Sequence, residues 1–212
     1  VFPEQIPAPD IEVESTITSR DVDFDLRAAA HLLRRTTFGP TWEGINWAHG
    51  EGLDATVDAL LEEQPVPDPP GDWIDDPLPP YDSLTPEQLD SLNNAYREQR
   101  AETRSWIIDN MLEEEASIHE TMTLFWHDHF ATSAQKVSFP PAMYHHYALL
   151  REYALGNIKD FVKAMAVDPA MLIWLDNDEN RYRHLYMTSI LDDWSGYGRK
   201  LLDEDEDGIY TK

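Results

Sequence analysis

Asp21-Val22-Asp23-Phe24-Asp25-Leu26-Arg27-Ala28-Ala29-Ala30-His31-Leu32-Leu33-Arg34-Arg35-Thr36-Thr37-Phe38-Gly39-Pro40 reads as one helix and its stop. Phe24, Ala28, Leu32 and Leu33 recur at helical spacing, which gathers them on one face. Arg34 and Arg35 fall near the end, where cations suit the helix dipole, and Gly39-Pro40 cannot continue the helix. Working outward, Thr41 caps a short helix through Trp42, Ile45 and Trp47 that ends at Gly50. A third helix is predicted over about 53–62, with Val57, Leu60 and Leu61 on its inner face.

More than half of the chain's 15 prolines lie between Gln64 and Pro86. Proline removes backbone donors and resists helix, so 64–86 reads as a proline-rich connector. Its Trp73, Ile74, Leu78 and Tyr81 predict that it packs on the domain. Thr85-Pro86-Glu87 then opens a long helix towards Glu115, with threonine at the cap and proline in the first turn. Ser117-Ile118-His119-Glu120 has the spacing of a capping box, so a new helix is expected to start there and reach Phe130. After a loop near 133–140, helices are expected over about 142–154 and 157–167 with Gly156 as the break, and Asp168-Pro169 caps a segment over 171–175. No period-two strand pattern and no internal repeat is visible.

The expected fold class is therefore all-α: an irregular multi-helix domain with an extended N-terminal arm and a proline-rich connector. Residues 1–20 form the arm, 21–180 the helical domain with 64–86 inside it, and 181–212 an acidic helix-loop end. Aromatic residues are plentiful enough to build a core, which excludes disorder throughout.

Composition narrows the partners. There are 41 acidic against 16 basic residues, a net charge of −25, and lysine occurs only at Lys136, Lys159, Lys163, Lys200 and Lys212. That field opposes nucleic acid and anionic membranes, both of which need a basic surface. An acidic, lysine-poor surface suits salty surroundings, where screening weakens self-repulsion; an ordinary solvated acidic surface is the alternative. No apolar run approaches the roughly 20 residues that span a bilayer, so no membrane insertion is expected. The chain has no cysteine, which excludes disulfides, thiolate metal sites and cysteine nucleophiles. No secretory leader pattern opens it, so the expectation is that any export signal was removed or never present.

Two stretches carry a resemblance. The first is Ala29-Ala30-His31-Leu32-Leu33-Arg34-Arg35-Thr36-Thr37-Phe38-Gly39-Pro40, and the second Met122-Thr123-Leu124-Phe125-Trp126-His127-Asp128-His129-Phe130-Ala131-Thr132-Ser133 with Lys136 beyond it. The pattern continues through Leu149-Leu150-Arg151-Glu152, Ala154-Leu155-Gly156-Asn157, Asp168-Pro169-Ala170-Met171-Leu172 and Leu175-Asp176-Asn177. In this order they resemble the large bacterial family known as domain of unknown function 1800, over most of residues 28–180. The resemblance implies an extracytoplasmic location (secreted, periplasmic or cell surface) more than a reaction. After Asn180 the chain departs from the family's Pro-Asn-Glu-Asn run, although Tyr197-Gly198-Arg199-Lys200-Leu201-Leu202 is similar to the helix that follows it.

Glu120, His127 and His129 are the candidate catalytic residues, since histidine serves as acid, base or ligand near neutral pH. Their spacing is wrong for a simple zinc motif, which needs histidines four apart on one face. His127 and His129 point about 200° apart on a continuous helix, and Glu120 and His127 share a face but lie roughly 10 Å apart along the axis. The alternative is that Trp126, His127 and Phe130 belong to the core, with the histidines bonded to carboxylates. His145 and His146, being adjacent, read as ordinary helix surface, and Arg34-Arg35 as structural ion-pair partners. No Gly-x-Ser-x-Gly elbow, phosphate loop or dinucleotide fingerprint is present.

Asp203-Glu204-Asp205-Glu206-Asp207-Gly208 has the opening alternation of a calcium loop, with carboxylates at Asp203, Asp205 and Asp207, glycine at the sharp turn and the Ile209 carbonyl next. The closing glutamate would fall beyond Lys212. Asp176, Asp178 and Asn180 repeat the alternation with Arg181 where glycine belongs. Calcium is thus the candidate cofactor, and a solvated charge run the alternative. Two functional classes follow. One is a structural or assembly component whose partners are other protein subunits. The other is part of an extracytoplasmic enzyme, with Glu120, His127 and His129 lining a cleft for a polymer or small metabolite. Spacing assembles no catalytic constellation, which favours the first.

Overall fold

The computed structural model describes residues 23–114 and 116–176. Within them the chain forms eight α-helices in the order α1 (Leu26–Thr36), α2 (Trp42–Glu51), α3 (Leu53–Leu60), α4 (Pro86–Glu113), α5 (His119–His129), α6 (Pro140–Glu152), α7 (Ile158–Met165) and α8 (Pro169–Trp174). Two single 3₁₀ turns, Asp72–Asp75 and Tyr81–Ser83, lie in the connector, and no strand occurs among the described residues. The fold is all-α.

Local chemistry explains most of the helix starts. The side chains of Asp25, Thr41, Asn157 and Asp168 accept backbone N–H bonds from the first turns of α1, α2, α7 and α8. At α4, Thr85 and Gln88 bond reciprocally to each other's backbone. Gly52, at φ 87°, makes the sharp corner between α2 and α3, a conformation that side chains resist.

Helix α5 begins differently from expectation. Its cap residue is Ile118, without a side-chain cap. Ser117 Oγ accepts from the His119 N–H at 3.0 Å, and the Glu114 carboxylate accepts from the Glu120 N–H at 2.8 Å. Glu120 cannot complete a capping box because its own carboxylate is drawn inward to Arg151. A second departure lies in α3, whose inner face is Thr56 and Leu60, while Leu61 ends the helix and is exposed. Thr56 Oγ1 donates towards the Ala48 and Gly52 carbonyls, so a small hydroxyl fits the tight α2–α3 corner.

Burial divides the apolar residues into three clusters. Ala29, Ala30, Leu33, Ile45, Ala48 and Leu60 join α1, α2 and α3. Leu149, Leu150, Phe161, Ala164, Met165 and Met171 join α6, α7 and α8. Tyr96, Val137, Phe139, Ala142, Ala170 and Leu172 tie α4 to α6 and α8. Helix α6 is central, packing against α4, α5, α8 and the first 3₁₀ turn.

The connector packs on its own domain, as its aromatic residues require. Trp73 Nε1 donates to Glu102 at 2.7 Å and its ring meets Tyr144 edge-on. The Asp68 carbonyl accepts from Trp106 Nε1 at 2.6 Å, and the Ile74 carbonyl lies 3.0 Å from His145 Nε2. These bonds satisfy backbone groups that proline-rich chain cannot pair with itself.

Candidate functional site: an arginine- and histidine-lined cleft

A cavity of about 650 Å³ opens between α4, the C-terminal half of α5, the following loop and α6. Arg97, Arg100 and Arg104 line one side, and spacing of three and four residues puts them in a row on one face of α4. His127 enters from α5, Thr132, Ser133 and Gln135 from the loop, and Met143, His146 and Tyr147 from α6. Among the described residues no aspartate or glutamate lines it, in a chain with 41 of them. Among the described residues none of the three arginines forms an ion pair with a carboxylate. Arg97 donates only to the Asn94 side-chain oxygen, at 3.0 Å.

His127 is half-buried, and among the described residues its ring nitrogens have no hydrogen-bond partner. Its ring centre lies 6.1 Å from that of His146 and 6.3 Å from that of Tyr147. Loss of hydration and the nearby His146 hold its basicity below the ordinary histidine value, with Asp128 opposing. The Tyr147 hydroxyl is pushed upward by burial and by Glu120, so it stays protonated and donates to Glu120 Oε2 at 3.4 Å.

Behind this wall stands a pair that sequence reasoning missed. His146 is completely buried rather than on the helix surface, its Nδ1 2.8 Å from Asp168 Oδ2 and its Nε2 3.1 Å from the Phe130 carbonyl. Both ring nitrogens face acceptors, so both bonds form together only when each nitrogen carries a hydrogen. The surface expectation fails because adjacent helix positions point about 100° apart, and α6 is covered on most sides. The readable signal was Asp168 itself: its carboxylate caps α8 at the Met171 N–H and can serve a second donor.

The structure does not gather Glu120, His127 and His129 in one place. Glu120 is 1% exposed, accepts from Arg151 Nε at 2.6 Å and does not line the cleft. His127 lines the cleft. His129 is exposed, with its ring against Trp126 and Phe130, which are themselves half-buried. The two histidines thus have different surroundings, as spacing of two residues requires.

Of the calcium candidates only Asp176 is described. Its carboxylate lies 2.6 Å from the Lys136 ammonium, which also donates to the Trp174 carbonyl at 2.8 Å. A lysine there supplies the counter-charge that a calcium ion would supply. Asp178, Asn180, Asp203, Asp205, Asp207 and Ile209 lie outside the described residues. Among the described residues no group of three or more histidine, aspartate or glutamate side chains is placed to hold a metal ion.

A family model described as "Protein of unknown function (DUF1800)" matches residues 31–201. The chain belongs to the DUF1800 family. No curated protein and no solved structure matches it. The DUF1800 match runs on to Leu201, past the departure noted after Asn180. In this DUF1800 chain the segment Met122–Ser133 supplies His127, Thr132 and Ser133 to the cleft, while Lys136 pairs with Asp176 and Asp168 pairs with His146. No described helix is long and apolar enough to cross a membrane.

Proposed function

We propose that the chain provides a binding cleft for an anionic small molecule, or for the anionic end of a polymer, within an extracytoplasmic enzyme or binding protein. The observation that carries this is the row of Arg97, Arg100 and Arg104 lining a cavity to which no described carboxylate contributes, in a chain of net charge −25. Arginine is the side chain suited to bidentate recognition of carboxylate, phosphate or sulfate. Three guanidinium groups without an ion pair among the described residues create a local positive field that draws an anion to the cleft. Ile107, Met143 and Tyr147 supply apolar surface for the body of the ligand.

This favours a cleft over a purely structural role, because polar groups from α4, α5, α6 and a loop converge on one cavity. The enzyme reading changes its residues accordingly: His127 stays, and arginines stand where Glu120 was expected. The connector packs on its own domain, so the assembly reading rests on the arm of residues 1–20, which lies outside the described residues. Calcium binding at Asp203, Asp205 and Asp207 rests on the sequence alone. The extracytoplasmic location rests on the family resemblance and the acidic, lysine-poor composition.

The test is calorimetric titration of the chain with sulfate and with ethane-1,2-disulfonate, at low and at physiological salt. Binding that weakens with salt, and weakens at least tenfold in an Arg100→Gln, Arg104→Gln double variant, is the expected result. Equal binding by the variant would sink the proposal.

A further inference from the structure

Resting on that reading, we propose that His127 is the fourth cation of the cleft: it takes up a proton when an oxyanion is bound, so ligand binding and protonation are coupled at this side chain. The geometry comes first. His127 is the one cleft histidine whose ring nitrogens have no protein partner among the described residues, whereas His146 spends both of its nitrogens on Asp168 and the Phe130 carbonyl. It lines the same cavity as Arg97, Arg100 and Arg104, from α5 rather than α4. An oxyanion held by that row therefore shares the cavity with an imidazole that has a nitrogen available to it.

The charges that face His127 decide the sense of the coupling. From α4 come the three arginines, and from α6 His146 and the un-ionised Tyr147 hydroxyl. On its own helix Asp128 is adjacent, and Asp168 stands behind His146. Glu120 is occupied with Arg151. With the cleft empty, poor hydration and then the neighbouring His146 favour the neutral ring, with Asp128 opposing. A bound oxyanion reverses the local sign and favours the imidazolium. The proton comes from solvent, goes to the free ring nitrogen, and then lies in a charge-assisted hydrogen bond to the ligand. The cleft consequently selects oxyanions over neutral molecules of the same shape and binds them more tightly as the pH falls, by up to about tenfold per unit where the uptake is complete. The ligand class is phosphate-, sulfate- or carboxylate-bearing, and the bound His127 proton is available for transfer to it.

Sulfate and ethane-1,2-disulfonate do not titrate near neutral pH, so any proton exchanged on binding them belongs to the protein. Titrating the full chain in buffers of different ionisation enthalpy, at pH 6 to 7, measures that proton directly. The expectation is net uptake on binding, which disappears in His127→Gln while binding itself persists more weakly. Uptake that survives the substitution, or binding with no uptake, overturns the coupling and leaves the arginine cleft standing. No binding of either anion at millimolar concentration overturns both. The ring signals of His127 followed by NMR in the unmodified chain give the same answer without a substitution. Their titration midpoint should move upward when sulfate is added, and an unmoved midpoint counts against the proposal.

Discussion

The Asp168 carboxylate serves two masters at the same distance: Oδ2 lies 2.8 Å from His146 Nδ1 and 2.8 Å from the Met171 N–H. One side chain thus starts α8 and pairs with a buried histidine of α6. Asp168→Ala removes both bonds and leaves a buried ring nitrogen and the α8 start without their acceptor, so it should cost about 2–5 kcal/mol. Asp168→Asn keeps an acceptor for the Met171 N–H and should cost less. Urea unfolding followed by circular dichroism separates the two.

Glu120 and Arg151 form a buried ion pair, with side-chain exposures of 2% and 9%. Glu120→Ala strands the guanidinium and should destabilise the fold by about 3–5 kcal/mol. Because Glu120 does not line the cleft, the variant should still bind anions wherever it remains folded. Loss of anion binding in a folded Glu120→Ala chain would return Glu120 to the site.

Gly71 lies against the Trp73 indole, and a methyl group built there would stand 2.6 Å from Nε1, the atom that donates to Glu102. Gly71→Ala must displace the indole and break that bond. A loss of roughly 1–2 kcal/mol is expected, with overpacking as the cause. A change in tryptophan emission that is absent from the same substitution in a Trp73→Phe background would identify the displaced ring.

Glu114 sets a pH dependence. Burial raises its carboxyl above the ordinary value of 4.5, against the opposing Glu120 N–H bond. In this range the folded chain binds more protons than the unfolded one, so stability falls as pH rises from 4.5 through the raised value. Glu114→Gln cannot titrate and keeps an acceptor for the Glu120 N–H. Its stability should therefore fall less over that window, as thermal unfolding at a series of pH values would show. A slope equal to that of the unmodified chain would assign the dependence to other groups.

Much of the helix layout is legible because its signals are local. Thr41, Thr85 and Asp168 cap helices from positions adjacent to them, and the 3.6-residue period marks α1 without any knowledge of its partners. The family, too, is carried by short contiguous segments such as Met122–Ser133. Ser117 shows the limit of such signals. Its box spacing is correct, but Glu120 was claimed by Arg151, which lies 31 residues away.

The sequence by itself determined an all-α chain, its breaks, its charge and its family, because each depends on neighbouring residues or on sums over them. Only the tertiary structure decided which charged side chains share a space. Arg97, Arg100 and Arg104 read as three more solvated residues until α5 and α6 close a cavity over their face. His146 reads as surface until α8 brings Asp168 against it from 22 residues away. Periodicity gives the direction in which a side chain leaves its own helix, but it holds nothing about what another helix places there. Desolvation and charge pairing depend on that second fact, and so the cleft became visible only when the helices were packed.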